Sequence, residues 1–361
     1  LANDIDLADC EEWEPIGYCA SNADVDVDAS YPFQGLFDGQ GHKIMNLTVD
    51  YPERQFVGFF GAVGGGAIIR NLIIDKSCYF HGDAYVGGLI GGSTLAGNVL
   101  IENCGNEADV VADGSNGANA AGIFGCDMLS RATMTIKNCY NTGNVTGVKE
   151  SAGISGWLGD GAKVFNSWNS GTISGADSGK NFARFSSAEF TNCYDPEYQD
   201  NVNHISLSSV SSGELCYLLN GSKEENVVWY QAIDIEGVER DAHPVFDPSH
   251  GVVYYGGVGS YTNDITRSGI YAPVLEAEGE AEAIYTISGQ IANRRADHVF
   301  KVRALQKGDD RLRHTALTGL IHSIAGANLI TGAAQIVAEF ALDVGFDLRL
   351  AVSGSRKIDR A

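Results

Sequence analysis

The sequence predicts an all-β fold, a parallel β-solenoid (β-helix) of short three-strand coils, followed by a small capping segment and a helical or poorly ordered C-terminal tail. Three observations predict this fold: a high glycine content, two short phrases that recur along the chain, and apolar stretches too short for helices. The chain has 45 glycines in 361 residues, whereas the usual share is about 7%. With only 7 prolines and no Gly-X-Y period, it is neither collagen nor a disordered linker.

The two phrases recur at intervals that suit one coil plus a loop of variable length. The first phrase reads small-Gly-apolar-apolar-Gly and occurs at residues 56–61, 85–91, 120–125 and 151–156. The second phrase contains an asparagine, at positions 71, 103, 138, 166 and 192, with steps of 32, 35, 28 and 26 residues. A third apolar stretch completes the units, at residues 108–111, 143–146 and 171–174. Segments this short, broken by Gly and Asn, favour strands separated by tight turns.

Each unit therefore holds three short strands, which cannot bury their own apolar face. Stacking such units buries a continuous core, as in other repeat proteins. In a stack the same position recurs directly above itself, so the five asparagines are predicted to form a ladder of hydrogen-bonded amides. The alternative is a row of amides that reads a sugar on an exposed face. The next position, held by Leu72, Ser167, Cys104, Cys139 and Cys193, is predicted to be a small buried core site.

These phrases resemble the GLUG-motif repeats of bacterial surface and secreted proteins, including large adhesins and cell-surface peptidases. The resemblance covers residues 13–195 and implies a β-solenoid on an exported or surface-attached protein. A lead-in precedes the repeats, with Gly39 and Gly41 expected to make its turn. His42 lies in this turn, and the sequence places no carboxylate to orient it, so we expect a structural role. The side chains of the lead-in that are expected to face inward are Phe33, Phe37, Ile44 and Leu47.

A different composition follows the repeats. The part that resembles the segment trailing such stacks in gut-type bacterial surface proteins comprises residues 212–221, 228–231 and 243–246. A short helix from Glu214 to Leu219, ended by Asn220 and Gly221, is predicted. It is expected to cover the strand edge that the last coil leaves open. Core packing and a sugar-stacking platform are the two interpretations of Trp229, Tyr230 and Tyr217.

The predicted organisation is residues 1–55 (lead-in and first coil), 56–195 (repeats), 196–255 (capping segment), 256–290 (linker) and 291–361 (tail). Within the linker, residues 283–290 resemble the opening strand of the C-terminal sorting domain used by the bacterial type nine export system. Apolar residues at helical spacing from Leu317 to Ile324 predict a helix in the tail. The tail is basic and alanine-rich, and we hypothesise that residues past Ala296 derive from a reading-frame shift or a fusion.

Charge divides the chain at the same point. Residues 1–290 carry 13 Lys+Arg and 39 Asp+Glu, a net charge of −26, whereas residues 291–361 carry 11 and 7, a net charge of +4. A surface this acidic repels nucleic acid and anionic membranes, so neither is expected as a partner. A polysaccharide lyase, which needs Arg or Lys to neutralise a uronate, is disfavoured for the same reason.

No catalytic, cofactor-binding or metal-binding residue is predicted, and no cofactor. The sequence has no Walker loop, HExxH or GxSxG pattern, and no repeated carboxyl pair of the kind that glycosidases need. The most calcium-like feature is Asp24, Asp26 and Asp28, but Ala29 stands where an EF-hand requires glycine. We therefore expect a solvated acidic loop, and weak calcium binding is the alternative. Cys10 and Cys19, close in sequence and outside the repeats, are the favoured disulfide pair of an exported chain.

The expected function is that of a secreted or cell-surface bacterial repeat protein. It would act as an adhesion, binding or spacer module for a host or microbial glycan or for a surface protein. The alternative is a carbohydrate-active β-helix enzyme of glycosidase type. Because no catalytic motif favours the enzyme, a non-enzymatic role is expected, although a fold by itself does not define a function.

Overall fold

A computed structural model describes residues 1–20, 30–114, 119–127, 132–175, 182–185 and 187–267, together with three strands of the tail. The chain divides into two compact units, Leu1–Tyr255 with Gly259–Ile265, and Gly256–Val258 with Thr266–Ala361. The first unit contains a parallel β-solenoid, which confirms the predicted fold class. In the second unit the described strands form an antiparallel sheet in the order Phe300–Val302, Leu348–Ser353, Gln335–Glu339. The tail helix predicted near Leu317 and the sorting-domain strand at 283–290 lie outside the described residues.

Within the described residues, the solenoid consists of four parallel sheets. Sheet I runs Ile5–Asp6, Lys43–Met45, Ile73–Ile74, Gly105–Asn106, Tyr140–Asn141, Trp168–Asn169, Tyr194–Asp195, Asn203–His204. Sheet II runs Leu36–Asp38, Ile68–Arg70, Gly97–Glu102, Ala132–Lys137, Lys163–Phe165, Glu189–Thr191. Sheet III runs Glu150–Ala152, Asn119–Ala121, Tyr79–Gly87, Asp109–Ala112, Val145–Gly147, Ile173–Gly175, and Thr48–Val57 also pairs with Tyr79–Gly87. Sheet IV runs Ala183–Phe185, Ser155–Leu158, Phe124–Asp127, Ile90–Ser93, Phe60–Val63.

The coils are more finely divided than the three strands per unit that the phrases predict. Each phrase covers two strands, because a turn lies inside it. The asparagine turns the chain from sheet II to sheet I, as Asn103 does between Gly97–Glu102 and Gly105–Asn106. The glycine phrase turns it from sheet III to sheet IV, as at Gly122 between Asn119–Ala121 and Phe124–Asp127. The phrases therefore mark corners of the coil as well as strands.

Alternation of side chains along each strand builds the core. In sheet II, Ile69, Ile101, Ile136 and Val164 face inward, are buried and lie in register from coil to coil. Their neighbours Arg70, Glu102 and Lys137 face outward on the same strands. Parallel register places identical positions at the strand spacing of about 4.8 Å, so each inward row forms a continuous apolar column. The predicted inward residues of the lead-in are confirmed, with Ile44 and Leu47 buried and Phe33 and Phe37 packed against the core.

The predicted asparagine ladder is confirmed and runs along the corner between sheets II and I; we refer to it as the outer ladder. Each amide nitrogen donates to the amide oxygen of the preceding coil, at 2.9, 2.8, 3.1 and 3.0 Å from Asn103 to Asn192. All five asparagines have positive φ, between 45° and 55°. This left-handed conformation is one that asparagine tolerates better than most residues. Asparagine therefore suits both the backbone conformation of the turn and the hydrogen bonds between stacked coils.

A second ladder, the inner ladder, lies three residues further along each coil and was not predicted. Asn106 donates to Asn141 at 2.8 Å, Asn141 donates to Asn169 at 2.8 Å, and Asn169 donates to the Asp195 carboxylate at 2.9 Å. All four side chains are buried. The second amide hydrogen of Asn106 and of Asn141 donates to a main-chain carbonyl two residues on, at 2.8 and 2.9 Å. The ladder thus satisfies donors that would otherwise be costly to bury.

The glycine phrase is required by this inner ladder. A Cβ atom built on Gly122 would lie 2.1 Å from Asn141 Oδ1, and one on Gly88 would lie 2.1 Å from Asn106 Oδ1. At Gly153 the nearest atom is Asn169 Cγ, at 2.2 Å. Real side chains do not approach this closely, so only glycine fits opposite each inner amide. The two phrases of the repeat are therefore in contact across the interior.

The capping segment covers both the end and one flank of the solenoid. Its helices are α1 (Leu207–Ser211) and α2 (Glu214–Leu219), and the bounds of α2 are those predicted. The strand Asn203–His204 pairs with the last solenoid strand of sheet I. Asn192, at the end of the outer ladder, donates to the carbonyl oxygens of Leu218 and Leu219 at 3.1 Å each. No helix among the described residues is both long enough and apolar enough to span a membrane.

We predict that Gly122→Ala and Asn141→Ala each destabilise the solenoid, and that their effects are not additive. The first change crowds the inner ladder, at a typical cost of about 1–3 kcal/mol. The second removes one hydrogen-bond partner from the buried Asn106 amide nitrogen and one from the buried Asn169 oxygen, at about 1–3 kcal/mol. In the double variant the contact of the new methyl group with the Asn141 amide is absent and only its contact with the Gly153 carbonyl oxygen, at 2.5 Å, remains, so the cost should be below the sum.

Urea unfolding of the four proteins measures this coupling. Asn98→Ala is the control, because Asn98 is an exposed asparagine on a sheet II strand of the same solenoid. Strict additivity of the two single changes would contradict the proposed contact.

Candidate functional site

A groove opens at the corner between sheets II and I, where the capping segment approaches the outer ladder. Its volume is about 290 Å³. The solenoid contributes a polar wall of side-chain amides and turn residues, and the capping segment contributes an apolar wall. The lining residues are Gln40, Gly41, Asn71, Asn103, Val228 and Phe246. The groove therefore combines the lead-in turn, the ladder and the capping segment, which are distant in sequence.

The ladder leaves part of each amide in the groove available. Asn103 Nδ2 donates to Asn71 Oδ1 at 2.9 Å, and Asn103 Oδ1 accepts from Asn138 Nδ2 at 2.8 Å. A side-chain amide has two donor hydrogens and two acceptor lone pairs, so one of each remains at Asn103. Asn71 also keeps one donor hydrogen and one acceptor lone pair, since its Nδ2 donates to Asp38 Oδ1 at 3.0 Å and its Oδ1 accepts from Asn103. Two adjacent, half-buried amides can thus each offer a donor and an acceptor to a ligand.

The apolar wall is supported from behind by an aromatic stack on the outer face of sheet I. The rings of Tyr140 and Trp168 lie 5.2 Å apart with an angle of 7° between their planes. Trp229 packs edge-on against both rings, and Phe246 lies 4.4 Å from Trp229. A Cβ atom on Gly105 would lie 2.2 Å from the Tyr140 ring, so glycine there lets the ring lie flat on the sheet. Phe246 is therefore held in place by buried neighbours.

A charged network ties the capping segment to the same flank. The Tyr140 hydroxyl donates to Glu107 Oε1 at 2.7 Å, and His243 Nε2 lies 4.0 Å from the same oxygen. Lys43 Nζ lies 3.9 Å from Glu107 Oε2 and 3.8 Å from Asp75 Oδ2. Burial, followed by the Glu107 charge, raises the pKa of Tyr140 well above its usual value. The hydroxyl therefore remains a hydrogen-bond donor, and both carboxylates are engaged by the chain itself.

The aromatic residues named from the sequence do not form one platform. Trp229 is fully buried among Tyr140, Trp168 and Phe246, which confirms core packing for this residue. Tyr230 is half-buried and its hydroxyl donates to the Val227 carbonyl at 3.1 Å. Tyr217 lies elsewhere, beside Tyr255 and Tyr261. The groove instead takes its aromatic residue, Phe246, from the same segment.

The cysteines at the position after each outer asparagine are buried, as predicted. Burial raises the pKa of Cys193 to about 12 and that of Cys139 well above its usual value. Such thiols are poor nucleophiles and poor metal ligands at neutral pH. Cys10 carries a free thiol whose Sγ donates to the Glu12 carbonyl at 3.3 Å. The expected Cys10–Cys19 disulfide is therefore wrong, because Cys19 is buried with Phe56, Tyr85 and Cys126 while the half-buried Cys10 lies beside Glu12.

His42 does have a carboxylate beside it, contrary to the expectation from sequence. Its Nδ1 lies 3.1 Å from Asp4 Oδ1, and the same oxygen accepts the main-chain N–H of Lys43 at 2.9 Å. This pair fastens the N-terminal residues to the lead-in turn. The expected acidic loop at Asp24, Asp26 and Asp28 lies outside the described residues. Among the residues that are described, no group of three or more His, Cys, Asp or Glu side chains is placed to hold a metal ion.

A second polar feature lies on the outer face of sheet III. His81 bridges three coils, with Nδ1 2.7 Å from Asp50 Oδ1 and Nε2 2.9 Å from Asp113 Oδ1. Burial lowers the pKa of His81, but hydrogen bonds and the charges of Asp113 and Asp50 outweigh burial and raise it above the usual value. The protonated ring can donate to both carboxylates at once. We refer to this arrangement as the His81 clamp.

Sequence reasoning missed the inner ladder and the groove for different reasons. The inner ladder has a signal, because an asparagine recurs three residues after Asn103, Asn138 and Asn166. The groove has a weaker sequence signal. Its other lining residues lie in segments to which the sequence pattern assigns different roles, and nothing in their spacing places them beside the ladder: Gln40, Gly41, Val228 and Phe246. Only the packing of the capping segment on the flank brings these segments together.

The chain is similar to two proteins over part of its length. It is 28% identical over 134 residues to halomucin of Haloquadratum walsbyi, covering 37% of this chain and 1% of halomucin. It is 29% identical over 110 residues to a protein of Evansella cellulosilytica named as a Gly-rich membrane protein, covering 28% of this chain and 12% of that protein. The chain therefore spans a small part of the length of these relatives. No family model matches the chain, and no solved structure gives a significant match.

The His81 clamp predicts a pH-dependent stability. Because the folded pKa of His81 is raised, its contribution is complete below its unfolded pKa of about 6.5 and is lost as pH rises through the folded value. Both carboxylates are exposed, so we expect a loss of about 1 kcal/mol. Between about pH 6 and about pH 9, the wild-type protein should lose this much more unfolding free energy than His81→Gln.

Urea unfolding at several pH values measures the difference. His204→Gln is the matched control, since His204 is exposed and stacks on Tyr198. Parallel pH profiles for the wild type and His81→Gln would show that the clamp does not stabilise the fold.

Proposed function

We propose that this chain is a non-enzymatic, GLUG-type module of an exported, surface-associated repeat protein, and that it binds a neutral glycan in the groove between the outer ladder and the capping segment. The observation that carries the proposal is that the Phe246 ring and the remaining donor and acceptor of the Asn71 and Asn103 amides line one groove. A surface protein as ligand is the alternative partner.

The two walls suit the two sides of a sugar. A sugar ring presents apolar C–H faces, which pack on an aromatic ring, and hydroxyl groups, which both donate and accept hydrogen bonds. The half-used amides of Asn71 and Asn103 supply both functions side by side. Binding sites of this kind are mainly apolar, with a few convergent polar groups. A volume of about 290 Å³ lies near the lower end of that class and suits a terminal sugar better than a long segment of polymer.

The negative charge of the protein restricts the class of glycan that can bind in the groove. Residues 1–290 carry a net charge of −26, which disfavours uronates, sulfated sugars and other polyanions through like-charge repulsion. Among the residues that the structure describes, no Lys or Arg lines the groove to offset this repulsion. A neutral glycan is therefore the favoured ligand.

The similarity of this chain to parts of two longer proteins supports the proposed surface location and the proposal that the chain is one module. The relatives are halomucin and a protein named as a Gly-rich membrane protein, of which the matched parts are 1% and 12%. Both names are consistent with a surface or membrane association. The repeated phrases and the corner ladder support the resemblance to GLUG-motif repeats. We infer that the chain is a module of the kind found in long surface proteins, and that it lies outside the cell or on the outer cell surface.

A glycan array with the full chain tests the proposal. Val228→Trp fills the groove from its exposed rim and should weaken binding of any neutral glycan hit at least about tenfold, equivalent to about 1.4 kcal/mol. Val238→Trp is the matched control, since Val238 is similarly exposed and does not line the groove. Equal binding by both variants would refute the groove as the site.

A reducing-sugar release assay on the polysaccharides that bind tests the non-enzymatic character. Turnover that exceeds the buffer control, and that survives repurification, would overturn this part of the proposal and favour the glycosidase alternative. The absence of any glycan or protein ligand for the wild type would instead favour a structural spacer.

A further inference from the structure

A cluster of three tyrosines is formed by the capping segment and the strand that follows it, from elements that are separate in sequence. Tyr217 belongs to α2, Tyr255 to the strand Tyr254–Gly257, and Tyr261 to the strand Ser260–Thr262. The ring centroids are 5.9, 5.7 and 5.8 Å apart. All three residues are half-buried, so each keeps some contact with solvent.

The rings form a corner. Tyr217 and Tyr255 are close to parallel, with 27° between their planes, whereas Tyr261 is inclined to them by 50° and 66°. The ring of Tyr261 is thus inclined to both other rings, so the cluster presents aromatic surfaces in more than one direction. No hydrogen bond joins the three hydroxyl groups to any described residue. The phenol oxygens are therefore not committed to holding the fold.

Carboxylates flank this corner. Glu224 Oε1 accepts the main-chain N–H of Tyr255 at 3.3 Å, which places that carboxylate beside the cluster. Burial, followed by the Glu224 charge, raises the pKa of Tyr217, and burial, followed by the Glu214 charge, raises the pKa of Tyr261 to about 12. The negative potential that Glu214 and Glu224 impose on the rings is the potential that attracts a cation. No Lys or Arg of the described residues makes a cation–π contact with these three rings.

We propose that Tyr217, Tyr255 and Tyr261, with Glu214 and Glu224 at their edge, form a binding site for an organic cation, a quaternary ammonium group or a Lys or Arg side chain. Aromatic faces attract cations through their quadrupole, and quaternary ammonium groups are recognised in this way. Flanking carboxylates strengthen the attraction, and the acidic solenoid steers cations towards it. This site is separate from the groove. Its ligand is positively charged, whereas the ligand proposed for the groove is neutral.

Titration calorimetry with the full chain tests the proposal through a pair of ligands. Choline and 3,3-dimethyl-1-butanol have the same shape, but only choline is charged. We expect choline to bind at least about tenfold more tightly than the neutral alcohol. Equal binding of the two, or no binding of either choline or arginine amide up to about 100 mM, a range that includes millimolar affinity, would overturn the proposal.

Variants locate the site. Glu224→Gln keeps an acceptor for the Tyr255 N–H but removes the charge, and should weaken choline binding several-fold; Glu225→Gln, one residue away, is the matched control. Tyr255→Leu should abolish binding, and Tyr255→Phe should retain most of it because the π face remains. Equal effects of Glu224→Gln and Glu225→Gln would place the cation elsewhere and overturn the assignment. A preference for choline over arginine amide would identify a quaternary ammonium ligand, and the reverse would identify a basic protein side chain.

Discussion

Buried amides organise this molecule. An asparagine inside an apolar core is costly unless its donors and acceptors are paired, and in a coil of one strand per sheet the nearest partner is the same position of the next coil. Asn141 meets this requirement because it accepts a hydrogen bond from Asn106 and donates one to Asn169, both at 2.8 Å. A shift by one residue would move the amide out of the interior. The inner ladder therefore fixes the register between coils together with the alternating apolar side chains, which impose the same register.

The same ladder explains much of the composition. Glycine is needed at Gly122 because Asn141 occupies the space of its side chain, and a small residue is needed at Gly105 because Tyr140 lies across it. The stacked aromatic rings then give the capping segment a surface to pack on, and this packing closes one side of the groove. A chain of steric requirements thus leads from one buried amide to the candidate binding site on the outside.

Repetition made some of these features predictable. The outer ladder at Asn71 to Asn192 and the helix Glu214–Leu219 follow from local patterns, namely a recurring turn residue and a helix bounded by Asn-Gly. The inner ladder shows the limit of that approach, because Asn106, Asn141 and Asn169 look like ordinary turn residues until the corner at Asn103 is known to turn them inward. The groove and the tyrosine corner depend on how the capping segment packs, and no periodic signal records that packing.

The ladders also have a direction. An ionised carboxylate accepts hydrogen bonds and cannot donate them. The outer ladder ends on Asp38 in the first coil, whereas the inner ladder ends on Asp195 in the last, where burial raises the carboxyl pKa to about 6. A coil copied between these two aspartates finds a donor on one side and an acceptor on the other, and both hydrogen-bonded rows stay continuous. A coil added beyond either aspartate does not. An additional coil therefore keeps both ladders intact only when it is inserted between the coils that carry Asp38 and Asp195.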